Sequence, residues 1–229
     1  MRSVTIIVPV KDEEVGLQYL LEDFRDSDLK EDNDIKFIFV IDDRSSDASQ
    51  RFASEFTDII IDQKETTGKG AAVKQAIEYW KNEPTEMTIF LDADGSYSFS
   101  SVSKILSKLS EGSDVVSGSR FLSKGGRPEG MSRLHTFGNK FLSKISSIRN
   151  RRKITDLCTG LWGFSEKALM KLEIQSKGFD LEAEIAGMAR KNGFHHHEVE
   201  VEWNQRKGGI SKLRSLTDGF IIFSRIIRT

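Results

Sequence analysis

Met87-Thr88-Ile89-Phe90-Leu91-Asp92-Ala93-Asp94-Gly95 decides how this chain is read. A short run of apolar and β-branched residues ends abruptly in two carboxylates and a glycine, the pattern of a buried strand that delivers acidic side chains to the rim of a sheet. Residues two apart on a strand share a face, so Asp92 and Asp94 can reach one divalent ion together. Hard ions such as Mg²⁺ or Mn²⁺ take carboxylate and phosphate oxygens, which makes the pair a candidate clamp for a diphosphate. A solvated turn helped by Gly95 is the competing reading, and the tripeptide alone does not choose.

The same grammar repeats on either side. Strands are expected at Val4 to Val8, Ile35 to Ile41, Asp58 to Ile61 and Asp114 to Ser117, with helices at Glu13 to Arg25, Ala48 to Glu55, Gly70 to Lys81 and Phe99 to Leu109. This alternation predicts an α/β fold around a mostly parallel central sheet flanked by helices. Ligands of such sheets gather beyond the strand carboxyl ends, which directs attention to Lys11-Asp12-Glu13 and Asp42-Asp43-Arg44 as well. After Arg120 the glycine-rich stretch Lys124 to Gly130 reads as a mobile loop and a possible lid. Beyond it come a basic helix near Arg133 to Arg152, a turn at Thr159-Gly160, a helix from about Asp180 to Lys191 and a strand at His197 to Trp203.

Composition narrows the classes. The 229 residues suit one catalytic domain, and 34 Lys+Arg against 35 Asp+Glu leave no field that would favour nucleic acid. The single cysteine, Cys158, excludes an internal disulfide and reads as a small buried side chain. The run Val4 to Val8 ends at Pro9 too soon for a signal peptide, and no stretch approaches the ~18 apolar residues of a membrane span. Membrane contact, where it occurs, is therefore expected to be peripheral.

Other segments carry chemistry with a plain alternative beside it. Asp42-Asp43 could bind a base or ribose, while Ser46 or Asp47 could simply cap the next helix. Gly68-Lys69-Gly70 sets a cation at a helix start, suited to phosphate or to an ordinary turn, and lacks P-loop spacing. Arg120, Arg133, Arg206 and Lys212 sit in or near glycine-rich stretches where an arginine fork could meet phosphate, or could be solvated surface charge. His195-His196-His197 is not read as a metal site, because strand neighbours alternate faces.

Taken in order, Val8-Pro9-Val10-Lys11-Asp12-Glu13-Glu14, Ile41 to Asp47, Gly68-Lys69-Gly70-Ala71, Leu91 to Gly95, Gly118-Ser119-Arg120, Thr155-Asp156 with Thr159-Gly160, Phe179 to Glu184, and Arg206 with Gly209 to Leu213 form a pattern. It resembles the family 2 inverting glycosyltransferases of GT-A, Rossmann-like fold, in the dolichol-phosphate (polyprenyl-phosphate) mannosyltransferase and glucosyltransferase branch, and runs nearly end to end. The resemblance implies a nucleoside pocket at Pro9, Lys11, Glu13, Ile41 and Asp43, and donor contacts from Lys69, Asp92, Ala93 and Asp94. It implies metal ligands at Asp92 and Asp94 with Ser96 in question, since well-known mannosyltransferases carry glutamine there. Arg120, Arg133, Arg206 and Lys212 would surround the donor diphosphate and acceptor phosphate, and Asp156 and Glu184 would lie near the sugar. Asp92, Asp94, Arg120 and Arg206 are the expected catalytic set.

The function so implied is metal-dependent transfer of a hexose from GDP-mannose or UDP-glucose to dolichyl or polyprenyl phosphate, at the cytoplasmic face of a membrane. A hydroxyl acceptor with Asp156 or Glu184 as base, or a nucleotide-sugar binding module without turnover, are the alternatives. Residues 1–210 would form the catalytic domain and 211–229 a C-terminal amphipathic helix. Its stripe of Leu213, Leu216, Phe220, Phe223 and Ile227, bracketed by Lys212, Arg214, Arg225 and Arg228, would dock on membrane, on its own domain, or on a second copy in a homodimer.

Overall fold

The structure is a computed structural model, and it describes residues 1–57, 59–64, 67–122, 127–208, 212 and 217–229. In chain order the elements are β1 (Arg2–Val10), α1 (Glu14–Asp26), α2 (Leu29–Asp32), β2 (Asn33–Asp42), α3 (Ser49–Ser54), β3 (Ile60–Gln63), α4 (Lys69–Trp80) and β4 (Met87–Leu91). They continue with α5 (Phe99–Ser110), β5 (Val115–Ser119), α6 (Arg133–Asn150), β6 (Leu161–Ser165), α7 (Glu166–Met170), α8 (Leu181–Lys191), β7 (His196–Glu200) and α9 (Thr217–Arg228).

The described strands make one sheet in the order β3-β2-β1-β4-β6-β5-β7. β1 runs parallel to both β2 and β4, β2 to β3, and β5 to β7. β6 is antiparallel to β4 and β5, and it is the strand that the sequence reading passed over as the end of a turn. Its Leu161-Trp162-Gly163-Phe164 is buried on both faces, so it lacks the alternation that marks a half-exposed strand. The expected strand at Asp58 begins at Ile60, and position 58 lies outside the described residues, as do residues 124–126 of the expected lid at Lys124 to Gly130.

The period-two pleat sorts the core into two layers. Ile6 and Val8 of β1 pack with Leu17, Phe24, Phe39, Phe99, Val102 and Ile105, under α1, α3 and α5. Ile7 points the other way, to Val40, Val73, Trp80, Phe90 and Trp162, under α4 and the helices α6 to α9. The histidines follow the same rule: His196 is buried against Ser117 and stacks on Trp162, while His197 meets Ser113. Burial pushes His196 down to about 3, so it is neutral and structural at ordinary pH.

α9 closes the second layer with Ile222 and Ile226, with Phe223 packed alongside. That differs from the expected stripe. Phe220 and Ile227 are exposed, and Leu213 and Leu216 lie outside the described residues. Arg225, expected to bracket a membrane face, instead pairs with Asp180 and Glu184 at the start of α8.

Candidate active site

The Asp92-Ala93-Asp94 turn leaves β4 at the middle of the sheet, and small residues let other elements crowd it. A Cβ on Gly160 would lie 1.9 Å from Asp92 Oδ2, and one on Gly16 would lie 2.4 Å from the Ala93 carbonyl. Any side chain at either position would push the turn aside. Asp94 Oδ1 accepts the Ser96 amide, and the segment 204–207 runs beside the turn, with Asn204 N donating to the Ser96 carbonyl and Lys207 N to that of Asp94. Ser96 is buried and Asp92 is one-third exposed.

Lys69, at the first position of α4, reaches across to this turn. Its Nζ lies 2.7 Å from Asp92 Oδ1 and 2.7 Å from Glu182 Oε1 on α8. Burial works against the ammonium, but the two carboxylates hold its pKa above the ordinary lysine value. Burial likewise raises the pKa of Glu182, and Lys69 opposes that rise. Glu182 is a site residue that the sequence reading passed over in favour of Glu184. Glu184 accepts the Gln175 and Ser176 amides and Arg225, which ties it to the 175–176 segment and to α9.

On the β1–β2 side, Asp42 is buried and takes both the Arg44 fork and Lys11 Nζ. The Arg44 hydrogen bonds, with help from Lys11, hold the Asp42 carboxyl well below the usual carboxylate range. Asp43, the expected nucleoside contact, is exposed beside it, and Pro9 is half-buried. Ile41 is 3% exposed within the core, so it braces this edge from behind rather than lining an open pocket. Reciprocal caps fix the loops: Glu14 N donates to Asp47 and Ala48 N to Glu14, while Asp12, at φ +45°, accepts the Ser46 amide. Asp47 thus takes the first amide of both α1 and α3, Glu14 N and Ser49 N, which accounts for it structurally.

Glu13 collects two distant cations. Arg206 Nη2 lies 2.5 Å and Lys212 Nζ 2.7 Å from its Oε1, while Oε2 is buried with no hydrogen-bond partner among the described residues. Nucleoside-side Glu13 and acceptor-side Arg206 and Lys212 thus share one place. Gly209 to Ser211, between the two cations, lie outside the described residues.

Arg120 behaves differently. Its fork is bidentate to Asp156 at 2.6 and 2.7 Å, and Nη2 also donates to the Cys158 carbonyl. Asp156 is fully buried and further accepts the Arg120 amide and Asn139. The pair expected near phosphate and sugar is therefore internally saturated here. It braces the Thr155–Gly160 segment together with Tyr97, whose hydroxyl receives the Gly160 amide and is pushed up to about 12 by burial. Cys158, half-buried beside it, is likewise pushed up to about 12 by burial, which disfavours the thiolate. Arg133 is exposed at the start of α6 and takes part in none of these pairs.

Among the described residues no three His, Cys, Asp or Glu side chains gather as a metal cage. Two carboxylates on one turn, next to a cation able to face phosphate, still fit a Mg²⁺ or Mn²⁺ ion that completes its shell with diphosphate and water oxygens. An all-protein site such as structural zinc does not fit this donor set.

Comparison with known proteins bears on the family and the fold. The chain is 29% identical to glycosyltransferase AglJ of Haloferax volcanii over 99% of its length and 71% of the relative's. It is 26% identical to a polyprenol monophosphomannose synthase of Mycolicibacterium smegmatis, covering 77% of this chain and 69% of that protein. In structure it matches glucosyl-3-phosphoglycerate synthase from Mycobacterium tuberculosis, solved with Mn²⁺, UDP and phosphoglyceric acid, with TM-score 0.71 and 14% identity over 99% of this chain and 76% of that one. That likeness shows a shared GT-A fold. Residues 5–173 match the model of glycosyl transferase family 2, and the chain belongs to that family.

Proposed function

We propose that the protein transfers a hexose, with inversion, from a nucleotide-sugar donor to dolichyl or another polyprenyl phosphate. The observation that carries this reading is that Asn204 and Lys207 are hydrogen-bonded to the turn after β4, while Arg206 between them, and Lys212, pair with Glu13. Two cations beside a diphosphate site suit an acceptor that is itself a phosphate. Relatives point the same way: dolichyl-phosphate hexose transferase of Haloferax volcanii is 28% identical and dolichol-phosphate mannosyltransferase of Pyrococcus furiosus 26% identical.

A phosphate monoester, with its second pKa near 6, attacks without a general base. The carboxylates that a hydroxyl acceptor would need are committed elsewhere, Asp156 to Arg120 and Asn139 and Glu184 to backbone amides and Arg225. Asp92 and Asp94 would hold Mg²⁺ or Mn²⁺, which when bound neutralises charge on the departing nucleoside diphosphate. Arg206 and Lys212 would leave Glu13 to hold the acceptor phosphate, with exposed Arg133 at the start of α6 as a further cation. Lys11 and Asp43 would face the nucleoside.

A membrane-bound acceptor requires the enzyme to come to it. Among the described residues no helix is long and apolar enough to cross a membrane. α6 and α9, which pack on each other, instead expose Leu134, Phe137, Phe141, Ile148, Phe220 and Ile227, with Lys140, Lys144, Arg149 and Arg228 exposed among them. Apolar side chains within a basic border suit peripheral docking on an anionic cytoplasmic leaflet. A homodimer through the same face is the alternative.

The test is a panel of UDP- and GDP-hexoses with polyprenyl phosphate and Mg²⁺ or Mn²⁺. Metal-dependent formation of a polyprenyl phosphohexose that releases its sugar in mild acid is expected. Transfer to free glycans with polyprenyl phosphate ignored would overturn the reading.

A further inference from the structure

Lys69 occupies the place where a metal would need Asp92. Its ammonium holds Asp92 Oδ1 at 2.7 Å, and the other oxygen of Asp92 lies tight against the backbone of Gly160. Behind it Glu182, only 8% exposed, grips the same ammonium at 2.7 Å. The open side of the cluster is Asp92, so an incoming ion meets a carboxylate already paired. Three separate elements meet here: Asp92 follows β4, Glu182 sits in the first turn of α8, and Lys69, which begins α4, places its ammonium between their carboxylates.

We infer that Lys69 is the resident counter-ion of Asp92, anchored by Glu182, and that it couples metal capture to donor binding. Without a donor, Lys69 competes with the metal for Asp92. When a nucleoside diphosphate arrives with the metal, Asp92 passes to the metal. Lys69, still held by Glu182, turns its freed hydrogen-bonding capacity to the diphosphate, since an ammonium has three donors. Metal and diphosphate then each raise the affinity of the other, as linkage demands. Lys69 and Glu182 are positioning residues in this scheme, which rests on Asp92 and Asp94 being the metal ligands.

Manganese binding, followed by electron paramagnetic resonance on the free protein, tests it apart from activity. The decisive variant is Lys69→Met combined with Glu182→Gln, which removes one charge of each sign and so frees Asp92 without changing the net charge of the cluster. Without nucleotide it should bind Mn²⁺ roughly three- to tenfold more tightly than wild type, and adding UDP or GDP should erase or reverse that gain. Lys69→Arg, which keeps the counter-ion, should stay within about twofold of wild type. Equal or weaker Mn²⁺ affinity in the folded double variant overturns the inference, as does tightening by Lys69→Arg. Should the double variant fail to fold, ¹³C-methylated wild-type protein serves instead, and a Lys69 resonance unmoved by Mg²⁺ with UDP or GDP overturns it. Wild-type transfer to polyprenyl phosphate alongside unchanged Mn²⁺ affinity would sink this inference alone, whereas no Mn²⁺ binding and no transfer would sink the functional reading with it.

Discussion

Two ion-paired regions of this molecule look alike in sequence and differ in what they leave unfinished. Around Arg120 and Asp156 both carboxylate oxygens and the Arg120 Nε and Nη2 groups are matched inside the protein, and Asp156 is completely buried. Around Asp92, Lys69, Glu13, Arg206 and Lys212 the matching is partial: Asp92 is a third exposed and one Glu13 oxygen has no partner among the described residues. A saturated buried pair positions backbone, whereas an unsaturated, partly open one can exchange its partners for a ligand. The difference separates scaffold from site more sharply than charge does.

Breaking the open region should cost activity and spare the fold. Asp92→Ala and Asp94→Ala are each expected to lower metal-dependent turnover by about 10³-fold or more, on the scale of a lost electrostatic anchor, with the thermal melt little changed. Full turnover of either variant in saturating metal would falsify the metal assignment. Breaking the closed region should do the reverse. Asp156→Ala strands Arg120 in the interior and should cost about 3–5 kcal/mol of stability in a denaturant titration; a stable variant deficient only in turnover would show that the pair belongs to the site after all.

Arg206→Ala should raise the acceptor KM or lower kcat/KM by about 10- to 100-fold, the scale of one charge-assisted contact, and should leave donor binding in place. Unchanged acceptor kinetics would return Arg206 to the surface. For membrane docking, removal of α9 is a poor probe because Ile222, Ile226 and Arg225 are part of the body. Phe137→Ser with Phe220→Ser is better, and should reduce co-sedimentation with anionic vesicles several-fold, in a manner that weakens as salt rises. If the wild type ignores such vesicles at low salt, the exposed face serves another purpose. The smallest expected effect concerns Asp42, whose carboxyl is held low by Arg44 and Lys11. Its contribution should be present above about pH 4 and fade as pH falls through the lowered value, so wild type and Asp42→Asn should converge in stability under acid, from a gap of about 1 kcal/mol at neutrality.

Most of the first half of the fold was legible because a pleated, doubly buried strand followed by an amphipathic helix leaves a local signature. Met87–Leu91 was read to the residue, and α1, α4 and α5 to within one. β6 was missed because Leu161-Trp162-Gly163-Phe164-Ser165 holds no β-branched residue and has a glycine at its centre, so it lacks the composition that marked the other buried strands. At the site, Glu182 and Glu184 stand two apart on a helix, so they point roughly 200° apart by helical geometry, and only one can face Asp92. That rule was available, but it does not say which one.

Taken alone, the sequence determined what depends on near neighbours: the strand ends, the acidic turn after β4, the glycine-flanked lysine, and the family pattern that orders them. Only the tertiary structure decided which charges meet. Lys69 and Glu182 are 113 residues apart, Glu13 and Arg206 are 193 apart, and Arg120 and Asp156 are 36 apart. Such pairings follow from strand order and helix rotation. Whether a given arginine is locked in the interior or left open to a phosphate depends on burial and on the partners that the whole sheet delivers to it.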